Sequence, residues 1–376
     1  MALATWERRL LPPRVRRSVH AVRALWTTGT LRRPGELLDR WRYRDGFRQL
    51  NKALFYHRYA TALLLGHELG LYDQLMAGPR SVAEIAEQCR IHPRSADQLV
   101  RILRAQGLLD RNGAGYELSG FGRLYLARDG ELSMADTLDL MAAQALAFAE
   151  LRGCMENGRV PASLDIFSED GRYQAFLNAV NSFLHFAAAE LLQEIELPEI
   201  ESFIVGSMGV SFSALLLERF PRSRVTYGCL EHLVRQIPRL RGQYQVPEDR
   251  VDGMHSHSGD PTADRWGDEA FDLVFLTKKM ILEPDNRMGE RFARKAFQVL
   301  RPGGVSIFWE SLHTDNRPTP LARAMEAVLD LGASPIGLVN TEAGITTMLS
   351  DIGYRDIEIV PCLGATTTFV VGRKPA

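Results

Sequence analysis

Residues 202–228, "SFIVGSMGVSFSALLLERFPRSRVTYG", decide the fold that the sequence predicts. The run "SFIVG" (202–206) is apolar and ends at a glycine, which indicates a short buried strand. "FSALLLERF" (212–220) has the apolar spacing of a helix, and "SRVTYG" (223–228) is a second β-rich run. A strand, a helix and a strand in this order are typical of a parallel sheet that is covered by helices.

The same alternation continues to the C-terminus. Four more β-rich runs follow, "FDLVFL", "GGVSIFWES", "DIEIVPC" and "TTTFVVGRK" (271–276, 303–311, 356–362 and 366–374). The helical segments "MGERFARKAFQVL" and "NTEAGITTMLSDIGY" (288–300 and 340–354) separate most of them. The final pair of runs is typical of an antiparallel ending. The predicted fold class is therefore α/β, with a mostly parallel sheet in residues 196–376.

The residues before the sheet are helical. Apolar residues at helical spacing from Phe55 to Met76 predict a helix that stops at Gly78-Pro79. The next residues predict a winged helix-turn-helix. Its parts are a helix over 81–89, a turn with a second helix over 90–109 and a hairpin over 110–126. Its first helix has a capping box, which is formed by Ser81 and Glu84.

A winged helix suggests DNA binding, with Arg94, Arg101 and Arg104 on the second helix. Residues 80–104, however, carry five arginines against three acids, which is a weak field for phosphates. We therefore expect no nucleic-acid partner.

Residues 1–50 form an arginine-rich segment with twelve arginines and four acids. Such a segment indicates either an amphipathic arm for a membrane surface or nucleic acid, or a helical arm that packs on its own dimer partner. We favour the second interpretation. Residues 133–193 form a long helical stretch, broken at 157–171, that either lines a pocket or connects two domains.

The composition is that of an ordinary globular protein, with 45% hydrophobic residues, 24% charged residues and a net charge of -1. The four cysteines form no CxxC pair, so we expect neither a zinc site nor a disulfide framework. We predict no metal site, and the group His255, His257 and Asp260 is the nearest approach to one. The start has no signal-peptide pattern and no run reaches the roughly 18 apolar residues of a membrane span, so we expect a cytoplasmic protein with no membrane span.

Several motifs, in this order, give the chain a family resemblance. They are the wing, the linker "CMENGRVPASLDIFSEDGRYQAFLNAV" (154–180), "HSGDP" (257–261), "VLRPGG" (299–304), "FWES" (308–311) and "LSDIGYRDIEIV" (349–360). From about Phe55 to Ala376 the chain resembles the bacterial S-adenosylmethionine (SAM)-dependent O-methyltransferases that modify small molecules. The resemblance implies a homodimer, built through a helical winged-helix dimerisation domain, and a class I Rossmann-like methyltransferase domain.

With this resemblance, the chain is predicted to have four segments. They are a basic helical arm (1–50), a winged-helix-like dimerisation domain (51–130), a helical linker that lines the pocket (131–195) and the Rossmann-like domain (196–376).

The resemblance also implies a cofactor site at the start of the sheet domain, which we assign to Gly206, Ser207, Gly209, Cys229, Asp260 and Lys278. In this family the loop after the first strand carries an acid and three glycines. Here Ile204 stands in the place of the acid, and Met208 and Val210 stand in the places of glycines, so we expect the Met208 side chain to project where only backbone should lie. Cys229 takes the place of the ribose-binding acid, and a thiol accepts hydrogen bonds poorly. These replacements predict that SAM binds weakly or not at all, and that no other cofactor is used.

The family's catalytic residues are also altered. Leu282 and Glu283 occupy the places of the family's His and Asp, and leucine cannot accept a proton. The acid–base candidates are therefore other residues that we expect to line the cleft, namely Glu310, His313, His185, Lys278 and Glu283. Asn181 and Lys279 are further candidates.

Three functions stay open at this point. The first is a SAM-independent reaction, such as a cyclisation, rearrangement or elimination, on a small hydrophobic biosynthetic intermediate. The second is a genuine SAM-dependent O- or C-methyltransferase with a divergent cofactor loop. The third is a non-catalytic partner or a regulator that senses a small molecule. We favour the first.

Overall fold

The structure is a computed structural model. The chain divides into two compact units, residues 1–65 and 66–376, and each unit is described by itself. The residues that the structure describes are 44–147, 152–153, 156, 170–206, 208–230, 234–257, 266–277, 287–310, 312 and 341–376. The arginine-rich segment before residue 44 lies outside them.

Helix α1 (Arg44–Glu68) supplies the described part of the first unit. Its surface there carries large apolar side chains that stand exposed, namely Leu50, Leu54, Phe55, Tyr56, Tyr59 and Leu65. Exposed aromatic and leucine side chains on one helix are typical of a surface that another chain covers.

The winged helix-turn-helix follows. The predicted helix from Phe55 to Met76 is in fact two helices, because Gly70 adopts a left-handed conformation (φ 65°) that ends α1 and precedes α2 (Leu71–Met76). The wing consists of two antiparallel strands with the predicted turn between them, but it ends at Leu118 and not at residue 126, because residues 120–125 form a helix. The remaining elements are α3 (Val82–Gln88), α4 (Pro93–Ala105), β1 (Leu109–Asn112), β2 (Gly115–Leu118) and α5 (Gly120–Tyr125).

The capping box of α3 is confirmed. The Ser81 hydroxyl accepts from the Glu84 backbone N–H, and the Glu84 carboxylate accepts from the Ser81 backbone N–H at 2.7 Å. On α4, Arg94, Arg101 and Arg104 are exposed, as a nucleic-acid-binding helix would require. Arg101, however, donates to Asp97 at 2.8 Å, which neutralises part of this surface.

Helices α6 (Ala135–Ala147) and α7 (Asp170–Glu194) pack together and lead into the sheet. Within the described residues, one segment, Gln174–Glu194 of α7, is long and apolar enough to cross a membrane by length and composition. In the structure, Leu177, Leu184, Leu191 and neighbouring side chains of this segment lie in the core against the sheet, which is the usual place of such a helix in a folded domain.

The sheet has seven strands in the order β5-β4-β3-β6-β7-β9-β8. The last two strands, β8 and β9, pair antiparallel as predicted, and β9 also pairs antiparallel with β7. The strands are β3 (Ser202–Gly206), β4 (Arg224–Leu230), β5 (Val251–His257), β6 (Phe271–Thr277), β7 (Leu300–Glu310), β8 (Arg355–Cys362) and β9 (Thr367–Arg373). The crossover helices are α8 (Val210–Arg219), α9 (Ile237–Gln243), α10 (Arg287–Val299) and α11 (Glu342–Ile352).

Both faces of the sheet are buried. Helices α7, α8 and α9 cover one face, where Phe203, Val205 and Phe275 point, and α10 and α11 cover the other, where Ile204 and Val274 point. Because β3, β6 and β7 run parallel, their carboxyl ends at Gly206, Thr277 and Glu310 meet at one edge of the sheet. This carboxyl edge is where ligands bind in open α/β sheets.

Candidate functional site

The loop after β3 is built around Gly209, which precedes the first turn of α8. A Cβ on Gly209 would stand 2.4 Å from Val205 Cγ1 and 2.8 Å from the Phe275 ring. Only a glycine at position 209 therefore lets α8 approach the sheet this closely, and in dinucleotide-binding loops a glycine likewise permits close packing of helix and strand. Of the predicted cofactor residues, Gly206 and Gly209 lie as expected at the end of β3 and the start of α8.

The expected position of Met208 is wrong. Its side chain is only 4% exposed and packs in the hydrophobic core with residues of α7, α8 and the sheet. Val210, the other replacement for a glycine, is fully buried in the same core. Since burial of an apolar side chain is favourable, both replacements contribute to the core.

The position of the missing acid is filled by an apolar contact. Ile204 is buried on the α10 side of the sheet, in one cluster with Trp266. Both reach towards Gly228 of β4, where an added Cβ would lie 3.1 Å from Trp266 and 3.3 Å from Ile204. At this position the side chain therefore contributes to the packing between β3, β4 and the α10 side of the sheet.

Asn181 of α7 holds the first turn of α8. Its Oδ1 accepts from the Ser211 backbone N–H at 3.0 Å and its Nδ2 donates to the Leu177 carbonyl at 2.9 Å, with the side chain fully buried. Helix N-termini carry backbone N–H groups without partners in the helix, and Asn181 satisfies one of them from a neighbouring helix. Sequence reasoning considered Asn181 only as an acid–base group and missed this role.

Replacing Asn181 by alanine is expected to lower the free energy of unfolding by about 1–3 kcal/mol, because the buried Ser211 N–H loses its acceptor. Urea unfolding followed by circular dichroism measures this change. The matched control is Gln193→Ala, at an exposed position of the same helix. Equal stability of the two variants would contradict the capping role.

Two hydroxyls near the loop are buried and have no hydrogen-bond partner in the part of the chain that the structure describes. They belong to Ser211, in the first turn of α8, and to Thr277, the last residue of β6. Ser211 is 0% exposed and Thr277 1% exposed. By contrast, Ser213 in the same helix donates to the Val210 carbonyl at 2.6 Å and bonds to the Tyr227 hydroxyl at 2.8 Å.

Glu310 ends β7 at the carboxyl edge and is 1% exposed. Directly across the antiparallel ladder lies Thr368 of β9, also buried. The preceding residue, Trp309, points to the opposite face, where its ring stacks on Phe183 and Phe369 and its Nε1 donates to Thr367. Because side chains alternate along a strand, the Glu310 carboxylate shares with Phe308 the face of the sheet that α10 and α11 cover.

His185 lies elsewhere. Its ring contacts those of Phe186 and Tyr244, with centroid distances of 5.9 Å in each case, and Tyr244 follows the C-terminal end of α9. Burial lowers the pKa of His185, and the nearby Glu218, towards the end of α8, opposes this shift. Glu218 and Tyr244 lie at the C-terminal ends of α8 and α9, and these ends lead to the amino ends of β4 and β5. His185, which is near both residues, therefore does not lie with Glu310 at the carboxyl edge of the sheet.

Several predicted site residues lie outside the described residues, namely Ser207, Asp260, Lys278, Glu283 and His313. Cys229 is described only through its backbone, which pairs with Ser256 near the end of β4. Among the described residues, no group of three His, Cys, Asp or Glu side chains could hold a metal ion.

Residues 52–128 match the family model of the O-methyltransferase dimerisation domain. Among characterised proteins, the chain is 25% identical over 364 residues to the tetracenomycin polyketide synthesis 8-O-methyl transferase TcmO of Streptomyces glaucescens. This similarity covers 92% of the chain and 98% of TcmO.

Solved structures with the same fold include human N-acetylserotonin methyltransferase (ASMT) in complex with SAM, with a TM-score of 0.73 and 21% identity. The likeness covers 88% of this chain and 98% of ASMT. PigF with S-adenosylhomocysteine (SAH) has a TM-score of 0.69 and 18% identity, covering 87% of this chain and 98% of PigF. These structures confirm the predicted fold class. The match of residues 52–128 and the similarity to TcmO agree with the resemblance to O-methyltransferases.

Proposed function

We propose that this chain, whose dimerisation domain and fold are those of the O-methyltransferase family, transfers a methyl group from SAM to a small molecule of secondary metabolism. The observation that carries the proposal is the β3–loop–α8 unit, which keeps the close approach of helix and sheet at Gly209. The similarity to TcmO over nearly the whole chain supports it. We therefore prefer methyl transfer to the SAM-independent reaction that the altered motifs alone suggested.

The described residues fit a polar cofactor at the carboxyl edge. Met208 lies in the core, and two buried hydroxyls without partners, those of Ser211 and Thr277, flank the loop. Gly206 and Gly209 would hold the cofactor through their backbone, with Ser207, Cys229, Asp260 and Lys278 as further contacts from the sequence. The expectation of weak SAM binding has no support from relatives such as ASMT and PigF, whose structures contain SAM or SAH.

When bound, SAM supplies an electrophilic methyl group. The protein must then orient the acceptor and remove its proton. With Leu282 in the place of the family's histidine, we assign the proton to the buried carboxylate of Glu310 at the end of β7. An acidic phenol or a nucleophilic carbon as the acceptor would reduce the demand on this base.

Isothermal titration of the purified protein with SAM and with SAH tests the proposal. We expect dissociation constants in the micromolar range, followed by SAH release when a phenolic acceptor is added. Mass spectrometry of ligands that co-purify with the protein provides an independent readout. Absence of binding for both compounds would contradict methyl transfer and return the SAM-independent reaction, or a non-catalytic partner, to first place.

We also propose a homodimer, which the dimerisation domain and the exposed apolar surface of α1 support. Replacing Phe55 by glutamate places a charge in this surface, so the dimer is expected to dissociate at concentrations where wild type stays dimeric. Light scattering after gel filtration should give 42.2 kDa for the variant and twice that mass for wild type. The control is Lys295→Glu, in α10 of the sheet domain. A dimeric Phe55→Glu variant would exclude this surface as the dimer interface.

A further inference from the structure

The buried hydroxyls of Ser211 and Thr277 lie on two sides of the cofactor loop. The ladder between β3 and β6 pairs Val205 with Phe275. Thr277, two residues further, therefore lies level with the loop between Gly206 and Gly209, on the face covered by α7 and α8. Ser211 lies on the helix side of the same loop, in the first turn of α8.

A buried hydroxyl without a partner is unfavourable, because the group has lost its hydrogen bonds to water. Native proteins keep few such groups, and those that persist usually have a ligand or another functional reason. The chain could have placed alanine at 211 or valine at 277 without loss of volume. Two such hydroxyls beside one ligand-binding loop indicate that a ligand supplies the missing hydrogen bonds.

The position of the pair indicates which end of the ligand it meets. The ribose-binding position, Cys229, lies near the end of β4, on one side of β3, whereas Thr277 lies at the end of β6, on the other side. An elongated ligand that crosses the loop with its ribose at β4 therefore has its opposite end at β6. In SAM and SAH this opposite end is an amino acid, with one carboxylate and one ammonium group.

We propose that Ser211 and Thr277 bind the amino-acid end of the cofactor, an inference that rests on the proposed function. A hydroxyl donates one hydrogen bond and accepts two, so each can serve a carboxylate or an ammonium group. Ser211 donates to the carboxylate, which the positive N-terminal end of α8 also attracts. Thr277 accepts from the ammonium group. These contacts compensate for those lost at Ile204 and Cys229.

Titration calorimetry with two probes tests this assignment. SAH carries the amino-acid end, whereas 5′-methylthioadenosine has the same nucleoside without it. We expect Ser211→Ala and Thr277→Val each to weaken SAH about tenfold or more, as the loss of a hydrogen bond to a charged group does. The affinity for 5′-methylthioadenosine is expected to stay at its wild-type value.

Ser213→Ala is the matched control, because its hydroxyl is already bonded to Val210 and Tyr227. We expect this variant to melt at a lower temperature and to bind SAH like wild type. Ser211→Ala and Thr277→Val should melt at or above the wild-type temperature, because each removes an unpaired buried hydroxyl. A gain in stability together with a loss of SAH affinity is a result that a structural role would not produce.

The outcomes separate the two proposals. If the wild type binds SAH and both variants bind SAH with the same affinity as the wild type, this inference alone is overturned. Equal weakening of SAH and 5′-methylthioadenosine would also overturn it, because the hydroxyls would then contact the nucleoside. If wild type binds neither SAM nor SAH, the proposed function fails and this inference fails with it.

Discussion

Replacing Glu310 by glutamine is expected to lower kcat for methyl transfer by about 10²–10⁴-fold, the usual contribution of a general base. Glutamine has nearly the same size as glutamate but cannot accept a proton, so the packing at the end of β7 is kept. Affinity for SAH should stay at the wild-type value, since Glu310 is assigned to the acceptor side of the site. The measurement is SAH formation from SAM with an acceptor on which wild type is active.

The control for Glu310→Gln is Glu358→Gln, which changes an exposed carboxylate of β8 that pairs with Arg373. This variant should keep wild-type turnover. Thermal unfolding of both variants shows whether a lost rate reflects lost folding. Turnover that is unchanged in a folded Glu310→Gln protein would remove Glu310 from the mechanism and leave His313, Glu283 and Lys278 as the acid–base candidates.

Replacing Gly209 by valine is expected to be the most disruptive change in the loop. Its Cβ alone would stand 2.4 Å from Val205 Cγ1 and 2.8 Å from the ring of Phe275, which itself stacks on Phe212 at 4.1 Å. Overpacking of this kind costs about 1–3 kcal/mol or more, and α8 must move away from the sheet to relieve it. Chemical unfolding and SAH titration should show lower stability and loss of binding.

Gly242→Ala is the matched control for Gly209. Gly242 lies in α9, and a Cβ there would have no atom within 4 Å. Alanine is expected to raise the stability by up to about 1 kcal/mol, because it favours the helix. If Gly209→Val were as stable as Gly242→Ala, the close approach of α8 to the sheet would not depend on glycine.

Much of the fold could be predicted from the sequence because its signals are local. The apolar runs that became β3, β6 and β7 are buried on both faces, so their composition alone is strongly strand-like. The capping box at Ser81 is equally local. β5 was not among the predicted β-rich runs, because this edge strand, "VDGMHSH" (251–257), is mostly polar or glycine and depends on pairing with β4.

The details of the site could not be predicted in the same way. Whether Met208 points into the core or into a cleft depends on the packing of α7 against α8, and sequence patterns do not describe that packing. The bond from Asn181 to Ser211 joins residues that are 30 positions apart. An isolated asparagine among the buried positions of an apolar helix was the available signal, and only the fold shows which backbone group it caps.

The bond between Asn181 and Ser211 also bears on how this protein can be recombined with its relatives. Helix α7 holds the loop after β3, while its Ala179 carbonyl accepts from Thr137 of α6 and its Phe186 ring lies 5.7 Å from Tyr125 of the winged helix. A chimera joined at residue 195 would bring together an α7 and a loop that evolved in different proteins. A junction before Asp170 would keep the bond from Asn181 to Ser211 but would separate α7 from Thr137 and Tyr125. The exchange unit that keeps all three contacts therefore includes the winged helix, α6, α7 and the sheet.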